Sequence, residues 1–214
     1  NRGHRHRNCA GIDFMQKSDS CFWLLILVGV ALRMVPILFD FEWILIDNQG
    51  DSAIHFFGSQ QLASGEGLSE MNARYEAIFP QLYSYTLVLS LFFSVIKNIE
   101  LSICLSNIIF DCIAIVFLSK ILNNNTSDKR NRVYVLVWWL NPIFIIMCWF
   151  SMAIIAVNAI LLISLYFGCQ LIKSYELQSS KMYRNAVLLG ISIFVGNLFR
   201  PMFSVLLIAE IVII

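Results

Sequence analysis

The chain has 214 residues, 58% hydrophobic and 14% charged, with a formal net charge of +1 and a mean hydropathy of +0.73. A soluble domain carries about a quarter charged residues, so the composition excludes an ordinary soluble fold and points to a polytopic α-helical membrane protein. A transmembrane barrel is excluded too, because its strands alternate and a run such as residues 21–39 does not.

In chain order, residues 1–14 are polar, rich in His and Arg, and without periodicity. Met15-Gln16-Lys17-Ser18 before an apolar run reads as a natural start, so 1–14 are taken as upstream sequence and 15–214 as the N-terminal part of one transmembrane domain. The first apolar run, 21–39, is too long for a signal-peptide core and is expected to be an uncleaved helix, with Arg33 and Pro36 near its far end. Further apolar segments are expected over about 77–96, 101–122, 133–150, 152–172 and 185–199, and an unfinished one from 202. That makes about 6–7 membrane segments in an all-α fold.

The charges are sorted by loop. Seven of the fourteen acidic residues lie between 40 and 76, where Arg74 is the one Lys or Arg. Lys129, Arg130 and Arg132 mark one hydrophilic break and Lys173, Lys181 and Arg184 the other. Basic loops stay cytoplasmic, which puts the acidic loop 40–76 outside. Two full crossings between that loop and Lys129 would contradict the rule, so either one of those runs is re-entrant or interfacial, or the rule fails locally. The six cysteines lie mostly in apolar runs without metal-type spacing and read as small buried hydrophobes.

The acidic loop is where polar chemistry is expected. Asp51 follows Gly50 and opens a short predicted interfacial helix, with His55 four residues on and on the same face. Ala53, Phe56, Phe57 and Ala63 are expected toward the membrane, Asp51, His55, Ser59 and Gln60 toward polar material, and Gly65 and Gly67 end the helix. A carboxylate at a helix start is also the pattern of an N-cap, so that role for Asp51 stands beside the chemical one. Arg74, Tyr75 and Glu76 precede Pro80 at the next membrane entry and suit either a polar headgroup or interfacial anchoring. Arg33 and Arg200, near run ends, are expected to snorkel, and Asp111 with Asn107 to make polar helix–helix contacts. No HExxH, Walker, GxGxxG or paired-Cys pattern occurs.

The order of these features resembles the GT-C superfamily of integral membrane glycosyltransferases, which includes protein O-mannosyltransferases, aminoarabinose transferases and GPI mannosyltransferases. The likeness rests on Gly50-Asp51-Ser52 with Leu62-Ala63-Ser64-Gly65, on Tyr75-Glu76 with Phe79-Pro80-Gln81-Leu82-Tyr83, on Asn107, on Asn141-Pro142-Ile143-Phe144, and on Arg200-Pro201. It covers roughly positions 21–205. A single Asp stands where the family often has an acidic pair, one proline where two are common, and Ser151-Met152-Ala153-Ile154 where many members carry a second acidic residue.

The resemblance implies transfer of a sugar from a polyprenyl-phosphate donor to an acceptor hydroxyl on the extracytoplasmic side, with a glycan, lipid or protein as acceptor and no nucleic acid. Asp51 would be the catalytic base, and His55, Arg74, Tyr75, Glu76 and Arg200 the substrate-binding residues. No metal ligands are assigned and no cofactor is required, although a divalent metal is compatible with the family. Rival classes are a transporter or flippase of lipid-linked sugars, with broken helices and midplane charges, and an inactive truncated assembly protein. In each case the chain is a multi-pass integral membrane protein, in the plasma membrane if bacterial and in the endoplasmic reticulum if eukaryotic.

Overall fold

The computed structural model describes residues 22–39, 50–123, 128–201, 203 and 205. Residues 1–14, the first ten residues of the acidic loop (40–49) and most of the run from 202 lie outside that set. Every regular element among the described residues is a helix. They are α1 (Phe22–Arg33), α2 (Val35–Phe39), α3 (Gly50–Ser64), α4 (Glu70–Ile78), α5 (Gln81–Val95), α6 (Ile99–Asn123), α7 (Asp128–Trp139), α8 (Pro142–Met147), α9 (Ile154–Glu176) and α10 (Met182–Phe199).

Three of them, α6, α9 and α10, are long and apolar enough to cross a membrane. At 1.5 Å per residue they reach about 37, 34 and 27 Å, against an apolar bilayer core of about 30 Å. The 15-residue α5 reaches only about 22 Å. The run 133–150 is not one segment. Pro142 cannot donate a backbone hydrogen bond and would clash with the carbonyl one turn back, so the helix stops at Trp139 and restarts. Asn141 caps the restart, its Oδ1 accepting from the Ile143 N–H at 2.9 Å.

Side-chain contacts fix how the helices run. Trp138 meets Asp111 while Asn131 meets Ser119, so α7 is antiparallel to α6. Arg33 pairs with Asp111 and Phe22 lies beside Arg132, so α1 is antiparallel to α6 as well. In contrast α9 runs parallel to α6, with Ile103 packed near Ala156 and Phe117 against Tyr166. Asn185 reaches back to Ser174 at 2.6 Å, which makes α10 antiparallel to α9. Lys120, Arg130, Arg132, Lys173, Lys181 and Arg184 therefore gather at one end of the bundle, and α3, α4 and α5 sit at the other.

Within that second end α5 and α6 form a tight hairpin, with the Tyr85 hydroxyl donating to Asn107 at 2.9 Å. The main core joins Tyr85 and Leu89 of α5 to Ile103, to Ala156, Val157 and Ile160, and to Leu189, Ile193 and Phe199. The helix α3 differs from its expected place on the interface. It is tucked under α5, burying Ser52, His55, Phe56 and Ser59 while Phe57 stays exposed. Small residues permit this approach: a Cβ on Gly58 would lie 2.9 Å from the Thr86 methyl. Gly65 and Gly67, at φ of 78° and 77°, turn the chain after α3, and Ser69 caps α4.

Candidate functional site

A cavity of about 420 Å³ opens at the end of the bundle away from the basic loops. Five segments build it: Asp51 and His55 from α3, Tyr75 from α4 with Phe79 beyond it, Gln81 and Leu82 from α5, Met152 to Ile154 at the start of α9, and Phe199 to Pro201 after α10. Asp51 lies in the first turn of α3, where the helix dipole favours negative charge. Its Oδ1 accepts from the Tyr75 hydroxyl at 3.1 Å. Partial burial and the Asp51 carboxylate push the Tyr75 phenol above its ordinary pKa, so it stays a donor.

His55 lines the same cavity with its Nδ1 3.0 Å from Thr86 Oγ1 and its ring edge-on to Tyr85. Burial lowers its pKa from 6.5 to about 4, with Asp51 opposing and Arg200 reinforcing the shift. The imidazole is thus neutral at physiological pH and lines the cavity as a hydrogen-bonding group rather than a cation. Arg200 follows the last turn of α10 in extended backbone and is the cation among the described residues of the cavity wall. Ala153 and Ile154 bring the N-terminus of the 23-residue α9, which has no side-chain cap, to the same wall. Positive potential from that terminus adds to the guanidinium.

Two expected members stand elsewhere. Arg74 is 78% exposed and pairs with Glu70 one turn back on α4 at 2.6 Å, off the cavity lining. Glu76 turns inward from α4 and is 5% exposed. Both of its carboxylate oxygens are buried without a hydrogen-bond partner among the described residues, and burial pushes its pKa above 4.5. The structure therefore brings together Asp51, His55, Tyr75 and Arg200, and leaves out Arg74 and Glu76.

The residues behind the site were only partly visible in the sequence. Asn107 donates to the carbonyls of Cys148 at 3.2 Å and Phe150 at 2.9 Å, holding the irregular stretch before α9. Ser151 then donates to the Ser52 carbonyl at 2.7 Å, beside Asp51. The family resemblance marked Asn107, but nothing in the sequence marked Ser151 as the bridge to α3. Among the described residues no group of three or more His, Cys, Asp or Glu has metal-binding proximity. Among the described residues the cavity presents one carboxylate and one imidazole, fewer donors than a resident divalent ion needs.

A second polar cluster lies deeper. Arg33 does not snorkel: it is fully buried, with Nε 3.0 Å from Asp111 Oδ2, Nη1 3.0 Å from the Gly29 carbonyl, and its guanidinium 3.8 Å over the Trp139 ring. The Trp138 indole N–H donates to the other Asp111 oxygen at 3.1 Å. Asp111 is the polar contact expected of it, with Arg33 and Trp138 as partners.

Comparison with protein-family models, curated proteins and solved structures finds no match. The class follows from the chain itself: the described residues are helical, with three helices fit to cross a membrane and a cavity at one end that carries Asp51, His55, Tyr75 and Arg200.

Proposed function

We propose that the chain is a membrane glycosyltransferase of GT-C type, moving a sugar from a polyprenyl-phosphate donor to an acceptor hydroxyl on the extracytoplasmic side. The observation that carries the reading is the meeting of one carboxylate, Asp51, and one cation, Arg200, in a single cavity built from distant segments. Such a transfer needs a base for the acceptor hydroxyl and positive potential for the leaving phosphate. Asp51 is the base, taking the acceptor proton as the new glycosidic bond forms at the anomeric carbon and the bond to phosphate oxygen breaks. Arg200 and the start of α9 hold the departing phosphate.

Orientation supports the same reading. With α5 at the outer end and not crossing, α1, α6, the α7–α8 pair, α9 and α10 alternate direction. Both basic loops then fall on the cytoplasmic side, as the charge rule requires. A lipid-linked donor keeps its chain in the bilayer and its sugar at the outer interface, where the cavity lies.

A transporter of lipid-linked sugars gains some support from the α7–α8 break and the buried Arg33–Asp111 pair. The break, however, is closed by the Asn141 cap, and the pair is enclosed by protein partners. The test is sugar transfer by the protein bearing Asp51→Asn. A base contributes roughly 10²- to 10⁴-fold, so a loss in that range with intact membrane insertion is expected. Activity within a few-fold of wild type removes Asp51 from the mechanism.

A further inference from the structure

The cavity has two chemically different walls, and His55 decides what one of them takes. The Thr86 hydroxyl carries one proton and lies 3.1 Å from the Leu82 carbonyl, one turn back on α5. A carbonyl has no proton to return, so this contact is a hydrogen bond when the hydroxyl donates to it, and in that arrangement the hydroxyl oxygen is left to accept. The partner at that oxygen is His55 Nδ1, at 3.0 Å. In that arrangement Nδ1 holds the ring proton and Nε2 a lone pair; in the other tautomer the hydroxyl would donate to Nδ1 instead. The arrangement is braced from both sides, since Ser59 Oγ donates to the Thr86 carbonyl at 2.9 Å and the Tyr85 ring meets the imidazole edge-on at 4.9 Å. With Nδ1 engaged, the nitrogen available to a ligand is Nε2.

We propose that His55 positions a hydroxyl group of the ligand, accepting its hydrogen bond at Nε2 next to Asp51, and takes no part in holding phosphate. This rests on the transferase reading and specifies its ligand at this wall as a polyol, the sugar or the acceptor that carries the hydroxyl. A phosphate offers oxygen lone pairs, which face a lone pair at Nε2 and are repelled. A hydroxyl offers the proton that the wall lacks. Phosphate is left to Arg200 across the cavity.

The charged and titratable groups around the ring are Asp51 on its own helix, Tyr75 and Glu76 on α4, Tyr85 on α5, and Arg200 after α10. Burial outweighs the Asp51 carboxylate and keeps the imidazole neutral down to about pH 4. The acceptor state of Nε2 thus holds throughout the physiological range.

The chain has only three histidines, His4, His6 and His55, which makes the test direct. The whole chain, labelled with ¹⁵N-histidine and placed in lipid nanodiscs, is examined by NMR, with His55→Gln used to assign the signals. One neutral tautomer with the proton on Nδ1 is expected at pH 7. Methyl α-mannoside should shift the Nε2 signal as a newly accepted hydrogen bond does, and dimethyl phosphate, which carries no P–OH, should not produce that shift. Thr86→Ser should keep the tautomer and Thr86→Val should lose the preference. A proton on Nε2, a charged ring at pH 7, that same shift with dimethyl phosphate, or no response to the glycoside would each overturn the proposal. Failure of the transferase reading is separate: it appears as absent sugar transfer with the Nδ1–H tautomer and glycoside response intact.

Discussion

Two polar regions of this molecule use similar residues to opposite ends. At Arg33 and Asp111 an arginine and an aspartate are buried together, and Gly29, Trp138 and Trp139 occupy the directions in which they could bind anything else. At the cavity, Asp51 and Arg200 face open volume, and a tyrosine hydroxyl is the polar partner given to Asp51. The first arrangement costs desolvation and returns a fixed register between α1, α6 and α7. The second leaves charge available to a ligand. Residue type does not separate structure from function here; whether the hydrogen-bonding capacity is already filled does.

The sharpest way to break this contrast is to unpair the deep cluster. Asp111→Leu leaves the Arg33 guanidinium buried without its counterion and should destabilise the protein by about 3–5 kcal/mol, read by thermal unfolding in detergent or nanodiscs. The double variant Arg33→Met with Asp111→Leu should recover most of that loss. If Asp111→Leu alone is neutral, the cluster is not the structural one of the two.

At the cavity the expected effect is on binding. Arg200→Leu should weaken affinity for a polyprenyl-phosphate sugar by roughly 10- to 100-fold, the size of a lost hydrogen bond to a charged group. Arg74→Leu, exposed and paired only with Glu70, should change it by less than about twofold. Equal effects of the two would erase the distinction between cavity wall and helix surface.

The smallest effect concerns Glu76, which belongs to neither region. Its folded pKa lies above 4.5, so the neutral form suits its site and the stability tied to it is lost as pH rises through the folded value. The amide introduced by Glu76→Gln is neutral at every pH. The melting temperature of that variant relative to wild type should therefore climb as pH increases from 4.5 and level off once the wild-type carboxyl ionises. A pH-independent difference between the two would mean that the Glu76 site does not penalise charge.

Part of this was legible in the sequence because it depends on local pattern. Gly65 and Gly67 as helix terminators, the one-face spacing of Asp51 and His55, and the basic loops flanking apolar runs are all short-range signals. The Asn141-Pro142 stop was equally local, but it stood inside a run that hydropathy alone reads as continuous. Other features depend on pairing across the fold. Arg33 and Asp111 are 78 positions apart, and Ser52 and Ser151 are 99 apart. Single residues near run ends look alike whether they snorkel or pair. The burial of His55 and Ser59 likewise depends on α3 slipping under α5, which Gly58 permits and its neighbours alone do not reveal.

The central claim is that the cavity opens on the face opposite the basic loops, outside the cytoplasm. Single cysteines at Ser69, on the loop before α4, and at Ser180, between α9 and α10, test it in a background lacking the native cysteines. Intact cells are treated with a membrane-impermeant thiol reagent. Labelling at 69 and none at 180 until the cells are opened is the predicted result. Labelling at 180 alone would put the cavity in the cytoplasm and contradict the account, and labelling at both would mean that α5 crosses the membrane after all.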